Sequence, residues 1–262
     1  MARDPGAKRG RAPDRAARRG RDAGADLRRA SGCRRAHPRL TVAGALAAAD
    51  LALQRGIARW HGSGVPPAAI VQAADQEQRI ELRMARDPRL ARGVLAKLPA
   101  RLARDVADDV AARRDLLGLA THKKGPPIRL GPALPVATLR MFYAEAQRRS
   151  DVSWQVLAAV NYVESDFGRL REASSSGAQG PMQFMPATWA SYGRGDVHDP
   201  RAAILAAARL LRAAGAPADE RGALLRYNPS SLYVDAVERY AGRIRRDPAS
   251  LLVFYVRSPL IR

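Results

Sequence analysis

Glu164 is the residue whose type and position could do chemistry. It closes an apolar run, residues 152–163, shortly before the turn signal Phe167-Gly168. If that run is a helix, Glu164 lies one turn after Val160 and two after Leu157, so its carboxylate shares a face with both apolar side chains. Loss of water there favours the neutral acid, and so does the negative end of the helix macrodipole. Both effects move a carboxylic acid toward the pKa that a general acid needs near neutral pH. The competing reading is a solvated glutamate at a helix end, the commoner fate of this residue type.

The elements that must position Glu164 follow from periodicity and punctuation. Residues 152–163 read as a buried helix, with Ser150 or Asp151 expected to cap it. Behind it come a Ser-rich turn, a Gly-Ala-Gln-Gly loop and a Met-Gln-Phe-Met-Pro step leading to Trp189. Residues 68–85, 88–98, 99–117 and 135–149 also read as helices, separated by Pro and Gly. In the third of these, Leu102, Val106, Val110, Arg113 and Leu117 step along one face, opposite Arg101, Arg104, Asp105, Asp108 and Arg114. On the fourth, Val136, Leu139, Tyr143 and Ala146 are expected inward. Asp199 is a good N-cap with Pro200 at the first helical position, Ile204, Leu205, Ala208 and Leu211 form a buried stripe, and Gly215 fits the stop. Residues 223–228 end a short helix. Ser230 or Ser231 then caps one running to 244, with Val237, Tyr240 and Ile244 inward. The class expected is all-α.

Composition bounds the partners. The chain has 262 residues and a net charge of +20, and in residues 1–39 basic side chains outnumber acidic ones by 13 to 4. That stretch lacks periodicity and reads as a disordered basic arm. A basic protein associates with polyanions, whether nucleic acid, anionic lipid or acidic wall polymers. No aromatic-interleaved basic strand or zinc spacing supports specific nucleic-acid binding. The single cysteine, Cys33, excludes an internal disulfide, and no apolar run precedes it as lipidation would require. No stretch is long enough for a transmembrane helix. Residues 40–53, apolar and Ala-rich behind a basic region, have the outline of an export signal interrupted by Asp50; an ordinary Ala-rich helix is the other reading. Asp196, His198 and Asp199 lack the pattern of a calcium or zinc site and read as capping residues, so no metal or other cofactor is expected.

Glu164-Ser165, followed by Ser174-x-x-Gly177-Ala178-x-Gly180-x-Met182-Gln183-x-Met185-Pro186-x-Thr188, resembles the catalytic domain of the soluble lytic transglycosylases, relatives of the goose-type lysozyme fold. Asp199-Pro200, Tyr227-Asn228 and Tyr233-Val234 extend the resemblance, which covers roughly residues 150–244. It implies a lysozyme-like helical domain that cleaves the β-1,4 bond between N-acetylmuramic acid and N-acetylglucosamine in peptidoglycan, releasing 1,6-anhydro ends. Glu164 would be the sole catalytic carboxylate. Ser174 and Gln183 would hydrogen-bond acetamido or carbonyl groups, Met182 and Phe184 would pack the cleft, and Tyr227 and Asn228 would flank Glu164, with the tyrosine hydroxyl holding the carboxylate. For Met185 and Trp189 a core position is the better reading. The expected organisation is a basic arm (1–39), a possible export segment with an amphipathic helical region (40–134), the transglycosylase-like domain (135–246) and a tail (247–262) whose apolar run can pack back on the domain. Export to the envelope or the exterior would follow from the substrate.

The residues fit that chemistry. Most glycosidases pair two carboxylates. Here Asp166 turns to a different face if the helix persists, Glu172 sits beside Arg169 and Arg171 where a surface ion pair is expected, and residues 173–195 contain no Asp or Glu. A lone acid suits attack by the substrate's own C6 hydroxyl, whose tethering supplies orientation. The departures are Pro181, where the family has Leu, and Pro229-Ser230-Ser231 after Tyr-Asn; parts of residues 189–215 look more like the membrane-bound B-type branch. Two alternatives stay open: a muramidase-type hydrolase using Asp196 or Asp199, and a non-catalytic peptidoglycan-binding protein.

Overall fold

The computed structural model describes residues 41–119 and 129–259; the basic arm and Cys33 lie outside the described residues, as does the lysine pair at 123–124. Among the described residues there are eleven helices and two isolated β-bridges. They are α1 (Val42–Trp60), α2 (Ala68–Arg86), α3 (Pro88–Leu95), α4 (Ala100–Leu119), α5 (Val136–Ser150), α6 (Trp154–Ser165), α7 (Pro186–Tyr192), α8 (Pro200–Ala213), α9 (Glu220–Tyr227), α10 (Ser231–Arg246) and α11 (Ser250–Val256). The described residues, 41–119 and 129–259, belong to one compact unit.

Local chemistry sets most helix starts. Asp87 and Asp199 accept amides of the first turns of α3 and α8, each with Pro at the following position. Thr41, Asp219 and Ser230 do the same for α1, α9 and α10. The expected cap of α6 is corrected. Ser150 ends α5, its hydroxyl donating back to the Ala146 carbonyl at 2.8 Å, and Asp151 takes a left-handed conformation as the C-cap of α5. Among the described residues Ser150 Oγ accepts only from the Val152 amide, at 3.3 Å, and Ser153 holds the N-cap position of α6 without a side-chain cap bond. The first amide of α6, that of Trp154, instead donates to Gln147 Oε1 at 2.7 Å.

α6 is the central helix. Residues 156–163 are all buried, against α5, α8, α10 and α11. An edge-to-face contact with Tyr240 at 5.0 Å and stacking on Phe254 at 5.1 Å and Phe167 at 5.3 Å enclose Tyr162. Such pairs add directional preference to apolar burial. A second, smaller core joins α1 to α2, α3 and α4 through Leu46, Met84, Val94 and Val106. Residues 42–53 are the first part of α1, a core helix in which Leu46 and Leu53 are fully buried. α11 is buried along its whole length, and the apolar run near the C-terminus does pack back.

Where α2, α4, α10 and the end of α11 meet, five ionisable side chains are buried together. Glu77, Glu81 and Asp109 face Arg243 and Arg257. Arg257 reaches Glu81 at 2.8 Å, Asp109 at 2.9 Å and Glu77 at 3.3 Å, and Arg243 pairs with Asp109. Burial pushes Glu81 up to about 8 against the pull of Arg257, and it raises Glu77 as well. Burial also acts on Asp109, but the two guanidiniums outweigh it and hold that carboxyl low.

Candidate active site

The last turn of α6 presents Glu164, half-buried, to a cavity of about 450 Å³. That volume lies within the range of small-molecule sites. Glu164 Oε1 accepts a hydrogen bond from the Tyr233 hydroxyl at 2.7 Å. Tyr233 sits in the first turn of α10, is fully buried, and stacks on Tyr227 with ring centroids 6.4 Å apart. A rigid, buried donor of this kind fixes the plane of the carboxyl group and which oxygen accepts.

Tyr227 does something else than expected. Its hydroxyl donates to the Met182 carbonyl at 2.6 Å, tying the end of α9 to the loop that crosses the cleft. Burial, and then the Glu164 carboxylate, raise the Tyr227 phenol well above its ordinary value, so it remains a neutral donor. The tyrosine whose hydroxyl holds the carboxylate is Tyr233, which the sequence reading passed over in its role.

The loop is shaped by backbone constraints. At Gly180, φ is +73° and an added Cβ would meet the Val197 carbonyl oxygen at 2.1 Å, so only glycine fits. Gln179 and Phe184 exchange both backbone hydrogen bonds, at 2.9 and 2.8 Å. Gln183 is held at φ +47°, unusual for a side chain of this type, and its amide donates to the Gly180 carbonyl at 3.0 Å. Underneath, the Pro181 carbonyl accepts from Asn161 Nδ2 at 2.8 Å and from Ser165 Oγ at 2.5 Å. Asn161 in turn accepts from the Tyr143 hydroxyl at 2.6 Å, and Ser165 from the Gly168 amide at 2.8 Å. This buried network registers the loop against the helix that carries Glu164. Pro181 thus contributes through its carbonyl, which needs no N–H.

Ser174, Gln183, Tyr227 and Asn228 line the cavity with Glu164. Met182 and Phe184 do not: both are core residues, Met182 fully buried. Met185, read as core, is 42% exposed and lines the cavity instead. The 180–185 turn brings Met182 and Phe184 inward and swings Met185 out at the start of α7. Trp189 packs edge-on against Phe184 at 5.4 Å, as a core-side residue. Leu130, Asp166, Leu170, Ser176, Pro229 and Pro259 also line the cavity without having been singled out for it.

Of the other acids, Asp166 is the C-cap of α6 at φ +52°, buried, with Oδ2 3.2 Å from Arg169 Nη1. Burial moves it up to about 7 against the opposing Arg169 charge. Glu172 pairs with Arg129 at 2.6 Å rather than with Arg169 or Arg171. Asp199 caps α8, and Asp196 accepts the His198 amide at 2.9 Å; neither lines the cavity. No cluster of three metal-capable side chains occurs among the described residues. No helix of the described residues is long and apolar enough to cross a membrane.

Residues 141–245 match the family described as the transglycosylase SLT domain. No curated protein and no solved structure matches the chain.

Proposed function

We infer, from the premise that residues 141–245 are a transglycosylase SLT domain, that this peptidoglycan-directed lytic transglycosylase uses Glu164 as its sole general acid and base. The observation that carries the reading is the carboxyl group of Glu164 on the wall of a 450 Å³ cavity, held there by the Tyr233 hydroxyl. Glu164 protonates the oxygen of the β-1,4 bond between N-acetylmuramic acid and N-acetylglucosamine. As a carboxylate it then takes the proton from the muramyl C6 hydroxyl while that oxygen closes on C1, giving a 1,6-anhydro end. Atoms balance without water, because the nucleophile belongs to the substrate, and its tethering supplies the orientation. Ser174, Gln183 and Asn228 offer hydrogen bonds to acetamido and carbonyl groups. Met182 and Phe184 support the cleft from the core.

The substrate lies in the cell wall, so this reading places the enzyme's work at the envelope or outside the cell. Anionic wall polymers are further partners suited to the chain's net charge of +20. A clearing assay on purified peptidoglycan tests the assignment. Glu164→Gln is expected to lose about 10²–10⁴-fold in rate, the usual worth of a general acid–base. Equal clearing by the variant and the unaltered chain would remove Glu164 from the mechanism.

A further inference from the structure

The ion pairs of this molecule are unevenly shared. On α10, Arg239, Arg243, Arg245 and Arg246 each reach an acid: Asp115, Asp109, Glu220 and Asp108 in turn. Residues 76–97, covering the later part of α2 and all of α3, carry Arg79, Arg83, Arg86, Arg89, Arg92 and Lys97. All six are exposed, and none of them forms an ion pair among the described residues.

The acids of the same stretch do not balance that surface. Glu77 and Glu81 are turned inward against Arg257, and Asp87 accepts the Arg89 and Leu90 amides as the cap of α3. Just upstream, Asp75 accepts from the Ser258 hydroxyl at 2.5 Å. Arg79, Arg83 and Arg86 step by four and three residues, so they share the face of α2 opposite the buried Glu77, Glu81 and Met84. Like charges at this spacing destabilise an isolated helix. Folding thus turns a mixed sequence into a nearly one-signed surface that gains from a negative partner.

The same corner holds an apolar groove of about 250 Å³ between the start of α1 and α3, lined by Val42, Ala43, Leu90, Gly93, Val94 and Lys97. Lys97 belongs to both features. An added Cβ on Gly93 would meet nothing within 4 Å, so the groove is open there.

We propose that the α2–α3 surface docks on an anionic lipid bilayer, the guanidiniums holding acidic headgroups while the groove takes an apolar acyl portion. The juxtaposition selects the occupant. A soluble phosphate polymer would engage the cations and leave the groove without a role, whereas an anionic lipid carries a partner for each. None of these residues lines the 450 Å³ cavity, so docking and cleavage are separable.

The test is co-sedimentation of the full chain with vesicles of equal parts phosphatidylglycerol and phosphatidylcholine, and with pure phosphatidylcholine vesicles. Binding of soluble long-chain polyphosphate is measured beside it. Residues 1–39 are themselves basic and every variant keeps them, so the differences between variants carry the result. The unaltered chain is expected on the mixed vesicles and not on pure phosphatidylcholine. Replacing Arg83, Arg86 and Arg89 together by Gln should weaken that binding about a hundredfold, at about fivefold for each charge near an anionic surface. Gly93→Gln sets a polar amide in the groove and should cost about fourfold on vesicles, the worth of one buried methylene, while leaving polyphosphate binding unchanged. Melting temperature and peptidoglycan clearing should stay as they are in both variants. Vesicle binding unchanged in the triple variant would overturn the docking surface. Vesicle binding that falls in the triple variant but ignores Gly93→Gln would make the partner any soluble polyanion and overturn the lipid assignment.

Discussion

The molecule buries carboxylates in two places, and they do different work. At the meeting of α2, α4, α10 and the end of α11, Glu77, Glu81 and Asp109 are almost wholly buried against Arg243 and Arg257. At the end of α6, Glu164 is half-buried, takes a hydroxyl donor and borders an open cavity. By its titration shifts the charge cluster would rank as a candidate site, since perturbed carboxylates are a common mark of active sites. What separates the two is access. A general acid has to touch its substrate, and Glu81 does not line the 450 Å³ cavity, whereas Glu164 does. The cluster serves cohesion, joining the N-terminal helices to α10 and to the segment that delivers Pro259 to the cleft.

Substitution should separate the two sites cleanly. Arg257→Ala leaves three buried carboxylates facing one guanidinium and is expected to lower the unfolding free energy by about 3–5 kcal/mol, read as a fall of about 10 °C in melting temperature. Glu164→Gln should leave that temperature nearly unchanged while slowing clearing by about 10²–10⁴-fold. If instead the Arg257 variant melts like the unaltered chain, the cluster is not a cohesive element.

Stability should also depend on pH with a definite sign. In the folded chain Glu81 keeps a proton up to about 8, whereas an ordinary glutamate releases it near 4.5. The folded state therefore binds the extra proton, and this contribution to stability is lost progressively as pH rises from about 4.5 to about 8. Asp166, moved up to about 7, and Glu77, also raised, act in the same direction; Asp109, held low, contributes the opposite dependence only in acid. Melts across this range should decline toward alkaline pH, and Glu81→Gln should flatten the slope. An unchanged slope would mean that Glu81 titrates normally.

The smallest effect is expected at Tyr233→Phe, which removes one hydrogen bond to the Glu164 carboxyl and nothing from the packing. A loss of about tenfold or somewhat more in kcat follows from the worth of such a bond, with KM and melting temperature little changed. A KM effect without a kcat effect would assign Tyr233 to substrate binding instead.

Much of the scaffold was legible in the sequence because its determinants are local. Asp199-Pro200 marks the start of α8, and Val136, Leu139, Tyr143 and Ala146 are the buried face of α5. Glu164 was legible for the same reason, as the last acid on an apolar helix. The partner of its carboxyl was not, since Tyr233 lies 69 residues further on and reads there as an ordinary first-turn residue of α10. Periodicity likewise placed Leu102 and Leu117 in the stripe of α4, whereas the buried set includes Asp109 and Leu116. An acid on the inner face is explained only by Arg243 and Arg257, which no local pattern links to it. In the 180–185 turn neither a helical nor an alternating period applies, so sequence could not tell that Met182 goes in and Met185 out.

Mass spectrometry of the sugars released from purified peptidoglycan tests the central claim most directly. Muropeptides ending in 1,6-anhydromuramic acid, lighter by one water than hydrolysed products and missing from a Glu164→Gln digest, are the expected result. Products bearing a reducing end from the unaltered chain, or anhydro products released by the variant at the unaltered chain's rate, would contradict it.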